Sequence, residues 1–235
     1  MTTAGASLPW SLALAVLLVL PGLVRPQARG WAVAFLATLV LFLGLQALPN
    51  LLPGERIVGD HWNWTGQVLA LAGTLWVAAL LVRQAGVPWR DMGFTRRQQP
   101  GSLYAALWVS AAALSLNLLA MNQSRFRLTE VPLETWAYQA TLPGLVEEVA
   151  FRGVLLALLD RAFLARRVLF GAPMGWGGAV VTLVFLALHG WSVNVLLGVL
   201  PAALLYLWLR ARTGSLAVPI VVHNLWNLSV YFAHL

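Results

Sequence analysis

Long apolar runs alternate with short polar connections along the whole chain, at approximately residues 8–24, 30–52, 65–82, 101–121, 136–159, 173–191, 193–209 and 215–235. Each run approaches the roughly 17–25 residues that cross about 30 Å of hydrocarbon as a helix. In hydrocarbon the backbone must satisfy its own hydrogen bonds, and the period-two alternation of a barrel strand is not visible. The pattern therefore predicts an all-α fold, a polytopic membrane bundle of about eight transmembrane helices. The connections are too short to separate domains and no internal repeat is visible, so residues 1–235 are expected to form a single transmembrane domain. The first run lacks the basic flank and small-residue cleavage pattern of a signal peptide and is expected to remain as a helix.

Composition supports lipid as the main solvent. The chain is 60% hydrophobic and 10% charged, with a mean hydropathy of +0.78, whereas a soluble domain carries about 25% charged residues. With no cysteine, disulfides, thiolate metal sites and a cysteine nucleophile are excluded. All 15 basic residues are arginine, and the net charge is +7. They are scattered between apolar runs instead of forming a dense basic patch interleaved with aromatics, so no nucleic-acid partner is expected.

Arginine placement predicts orientation. One set of connections holds Arg25, Arg29, Arg83, Arg90, Arg96, Arg97, Arg161, Arg166, Arg167, Arg210 and Arg212; the other holds Arg56, Arg125 and Arg127. The richer side is expected to be cytoplasmic. The chain is thus expected to be a multi-pass integral membrane protein of, in the simplest case, a prokaryotic plasma membrane.

Arg152 is different, because it lies inside the fifth run with Glu147 and Glu148. A charge at the centre of a membrane helix costs about 2.5–3.5 kcal/mol, so three within six residues need a reason. Glu148 and Arg152 are spaced i and i+4, acid first, the favourable order for a pair on one helix face. Glu147 is rotated by about 100° and is left free to face a cavity. Pro143, four residues earlier, removes a backbone donor and should open the helix there.

Later runs carry His189 in the sixth and His223 with Asn227 in the eighth, the last two sharing a helix face. Each of these groups alone has a structural reading, as a buried staple or as interhelical hydrogen bonding. Together, a free carboxylate, two imidazoles and an amide supply a general base, groups that orient water and an oxyanion donor. Ser115 and Thr182 have no base placed beside them by spacing, so a covalent mechanism is not indicated. His61 and His234 fall at run edges and are expected in solvent.

These motifs resemble those of the CPBP family, the CAAX prenyl endopeptidases and bacteriocin-processing enzymes also known as abortive-infection (Abi) proteins. EExxxR stands at Glu147, Glu148 and Arg152, followed by Gly153; FxxxH at Phe185 and His189; HxxxN at His223 and Asn227. The approach Thr213-Gly214-Ser215-Leu216-Ala217-Val218-Pro219-Ile220 is also similar. The motif-bearing catalytic core is about residues 136–235, and the first 135 residues align only as membrane spans.

The resemblance implies an intramembrane endopeptidase acting near the carboxyl terminus of a lipidated or membrane-associated peptide, with the lipid bilayer as its other partner. Glu147 and His189 would activate water, His223 and Asn227 would stabilise the oxyanion, and Glu148 with Arg152 would hold the site. Glu147, His189 and His223 could alternatively bind a divalent metal ion such as zinc, or the glutamate could act directly as base without metal. A non-catalytic scaffold or immunity-type protein of the same fold is the alternative function. By the run boundaries Glu147 and His189 differ in depth by roughly 13 Å. Helix tilt, or a dip of the turn at Ser192 and Asn194, would have to bring them together.

Overall fold

The structure, a computed structural model, describes residues 4–51, 62–123 and 130–234. Arg56, His61, Arg125 and Arg127 lie outside the described residues. Helices α1 (Ala4–Val24), α2 (Pro26–Leu51), α3 (Trp64–Ala85) and α4 (Ser102–Asn122) form the first half, with one 3-10 turn, Trp89–Met92, after α3. The second half holds α5 (Leu133–Glu147), a π-helical segment (Glu148–Leu155), α6 (Leu156–Ala162), a hairpin of β1 (Arg166–Leu169) and β2 (Ala172–Gly175), then α7 (Trp176–His189), α8 (Val193–Thr213) and α9 (Ala217–His234).

The fold is all-α and polytopic, and each of the eight apolar runs forms a helix. By length and composition four of them, α2, α3, α4 and α8, can cross a membrane. The motif-bearing α5, α7 and α9 are shorter, at 15, 14 and 18 residues.

Local chemistry sets several ends. Asn63 caps α3 by accepting from the Gly66 amide at 3.0 Å, and Ser192 caps α8 by accepting from Val195 at 3.3 Å. The hairpin is a departure from the expected connection, taking the first residues assigned to the sixth run. Its turn residues Phe170 and Gly171 have φ of 50° and 73°. Positive φ at both central positions matches the right-handed twist of a two-residue hairpin, and glycine supplies one of them without strain.

The centre of the bundle is the π-helical segment and α6. All eight residues of that segment are buried. Phe151 packs edge-on against Phe42 of α2 and Phe185 of α7, with ring centroids 5.7 and 5.2 Å apart. This apolar packing surrounds Glu148 and Arg152, both fully buried, so their charges must be answered within the protein.

Candidate active site

Glu147 is the last residue of α5 and Glu148 the first of the π-helical segment. Single π turns occur often at functional sites because they break the regular ladder. Here the Leu156 amide reaches Phe151 O and Gly153 O. The carbonyl of Arg152 accepts from Arg210 Nε at 3.1 Å.

The expected pair forms: Arg152 Nη1 lies 3.1 Å from Glu148 Oε1. Arg152 Nη2 donates to Ala203 O of α8 at 3.1 Å, and the guanidinium sits 4.4 Å from the Phe185 ring centroid. A buried cation is thereby met by a carboxylate, a carbonyl and an aromatic face. Phe185 of the FxxxH motif thus has its own task, since its ring also contacts His189 at 4.5 Å.

His223 of α9 enters between the two acids. Its Nδ1 is 2.9 Å from Glu148 Oε1 and its Nε2 is 3.8 Å from Glu147 Oε2. An ionised carboxylate only accepts, so Nδ1 donates to Glu148, while Nε2 at 3.8 Å is beyond hydrogen-bond distance of Glu147. Glu147 Oε2 is buried without a hydrogen-bond partner. His189 is fixed the same way: Nδ1 lies 2.8 Å from Phe185 O, leaving Nε2 outward.

A cavity of about 870 Å³ is bordered by α4, α7, α8 and α9 and gathers His189, His223, Asn227 and Tyr206 on its wall. Its lining includes Met121, Asn194 and His234, placing it towards the end of the bundle away from the arginine-bearing connections. His189 is exposed at the rim, while His223 is buried against the acids, and Glu147 is not among the residues that line the cavity. Glu147 joins the group through His223. His234, expected in solvent, is half-buried on the cavity wall.

The three-ligand metal arrangement is not what this geometry offers. Among the described residues, no three His, Asp or Glu side chains are gathered so as to hold a metal ion. The donor set does not fit, and no chemical step is derived through a metal.

Residues 129–229 match the family model for Rce1-like proteins, described as Type II CAAX prenyl endopeptidase Rce1-like. The resemblance seen in the motifs is thereby shown over α5 to α9. No curated protein and no solved structure matches the chain. The Rce1-like segment contains Glu147, Glu148, Arg152, His189, His223 and Asn227. Over that segment the chain is similar to CAAX-type intramembrane proteases, and four helices long and apolar enough to cross a membrane support an integral membrane protein.

Two residues of the Rce1-like segment escaped the motif reading. Asn224 Oδ1 accepts from the Gly144 amide at 2.8 Å and its Nδ2 donates to Thr141 O at 3.3 Å. It thereby serves backbone groups beside Pro143, where the α5 ladder is interrupted. A Cβ on Gly144 would stand 2.4 Å from Asn224 Oδ1 and 2.7 Å from Ile220 O, so only glycine permits this approach of α5 to α9. Tyr206 of α8 stacks on His223 at 4.5 Å, and its buried hydroxyl has no partner. Neither residue stands out in an apolar run, because asparagine and tyrosine are ordinary interhelical residues.

Proposed function

We propose that the chain hydrolyses a peptide bond near the carboxyl terminus of a lipidated or membrane-associated peptide, using Glu147 as the base for water. The observation that carries this reading is the contrast between the two acids. Glu148 is occupied by Arg152 and His223, whereas Glu147 Oε2, 3.8 Å from His223 Nε2, has no hydrogen-bond partner.

Water attacks the scissile carbonyl carbon and gives a proton to Glu147, whose carboxylate supplies general-base catalysis. His189 Nε2 assists in orienting the water from the cavity rim. Asn227 and Tyr206 line the cavity, and in this scheme the Asn227 amide and the Tyr206 hydroxyl supply hydrogen bonds to the oxyanion. As the tetrahedral intermediate collapses, the C–N bond breaks and Glu147 returns its proton to the leaving amine. His223, placed between the acids, sets the orientation of Glu147 in this scheme; its direct contact with an oxyanion is secondary.

The test uses the full chain reconstituted in lipid with farnesylated and unmodified peptides ending in a CAAX-type sequence. Glu147→Gln should insert and fold as the wild type while losing cleavage, and membrane peptides accumulating with the variant identify the substrate. Cleavage unchanged in Glu147→Gln would overturn the reading.

A further inference from the structure

On the arginine-bearing side, at the opposite end from the catalytic cavity, a second cavity of about 530 Å³ lies between α6, α8, the 89–92 turn and the hairpin. Three connections distant in sequence bring Arg90, Arg161, Arg166 and Arg210 to its wall, with Asp91 and Asp160. Arg161 takes Asp91 at 2.8 Å and Arg166 takes Asp160 at 3.1 Å. Four guanidinium groups therefore face two carboxylates. Arg210, 9% exposed, donates to two backbone carbonyls, Arg152 O and Asp91 O, so those bonds leave its positive charge unneutralised.

The rim is apolar. Leu164 is 81% and Phe170 91% exposed, and Trp208 Nε1 donates to Phe170 O at 3.0 Å, pinning the hairpin tip along α8. Val168 and Leu169 are exposed beside them. An excess of guanidinium within a cavity lined by the base of a hairpin whose tip is apolar suits a molecule with an anionic head and hydrocarbon tails. Basic pockets between helices on the cytoplasmic side of membrane proteins have this chemistry, and arginine forks match phosphate oxygens.

We propose that this cavity binds the phosphate headgroup of an anionic lipid, with the hairpin tip seated among its acyl chains. The site is separate from the peptidase reading and stands or falls without it. Asp160 limits the affinity, since it occupies Arg166 and repels an anion.

The experiment measures phosphatidylglycerol retained by the purified full chain in native mass spectrometry, after reconstitution in phosphatidylcholine containing phosphatidylglycerol. Arg90→Gln/Arg166→Gln should weaken retention by about tenfold or more, as each arginine near an anionic surface is worth about 1 kcal/mol. Arg83→Gln, an exposed arginine outside the cavity, should leave it unchanged, and Asp160→Asn should strengthen it. Arg210 is left intact because it also holds the carbonyl of Arg152. Thermal unfolding in phosphatidylcholine verifies that each variant is folded. Retention unchanged in the double variant, an equal loss in Arg83→Gln, or weaker retention in Asp160→Asn would overturn the site. A rise in unfolding temperature with added inorganic phosphate equal to that with phosphatidylglycerol would overturn the lipid assignment.

Discussion

The imidazole of His223 stands between two adjacent carboxylates, with Nδ1 2.9 Å from Glu148 and Nε2 3.8 Å from Glu147. Adjacent acids on one chain segment acquire different surroundings: Glu148 is hydrogen-bonded to His223 Nδ1 and Arg152, while Glu147 Oε2 has no hydrogen-bond partner. That asymmetry leads to distinct expectations for each side chain.

Removing one member of the buried pair should be costly. Arg152→Met leaves Glu148 buried beside a single partner and should destabilise the fold by about 3–5 kcal/mol. The double variant Glu148→Gln/Arg152→Met should recover part of that loss. Chemical unfolding in detergent, arranged as a double-mutant cycle, measures the recovery.

His189 and His223 should separate by stability. His189 is exposed at the cavity rim, so His189→Ala should change unfolding by no more than about 0.5 kcal/mol while lowering turnover. His223→Ala removes a hydrogen bond to buried Glu148 and should lower both, with a stability loss of about 1–3 kcal/mol. Parallel melting and cleavage assays distinguish the two.

Tyr206→Phe deletes a buried hydroxyl that has no protein partner. Stability should therefore hold or rise slightly. If the hydroxyl serves the oxyanion, kcat should fall by about a hundredfold with KM little changed, the size associated with one lost oxyanion donor. An unaltered kcat would remove Tyr206 from the mechanism.

Gly144→Ala places a methyl group where Asn224 and the Ile220 carbonyl already stand. The helices must part, and Glu147, about one turn further along α5, shifts from its position beside His223. Since a displacement of about 1 Å can cost about a hundredfold in rate, kcat should drop by about that factor. Asn224→Ala should lower stability by about 1–3 kcal/mol through the unsatisfied Gly144 amide. Cleavage rates and melting curves of both variants check this.

Much of this was readable from the chain because lipid penalises charge so heavily. Glu147, Glu148 and Arg152 stood out within an apolar run, and the i, i+4 spacing already paired Glu148 with Arg152. The hairpin at 166–175 was less legible, since four-residue strands carry little periodicity and Arg166 and Arg167 read as an ordinary loop. Asn224 was hidden by its neighbours His223 and Asn227, and its role depends on the backbone interruption at Pro143 in another helix.

By itself the sequence determined the helical spans, the arginine-bearing side and the identity of the polar residues, because these follow from the local cost of placing each group in hydrocarbon. Tertiary structure alone decided that His223 lies between the acids, that His189 takes the rim, and that the three possible metal ligands do not converge. Those outcomes depend on how α5, α7 and α9 pack around Phe185 and Tyr206. Contacts such as that of His223 with Glu148, 75 positions apart, are set by helix rotation and close approach, which spacing along one helix does not encode.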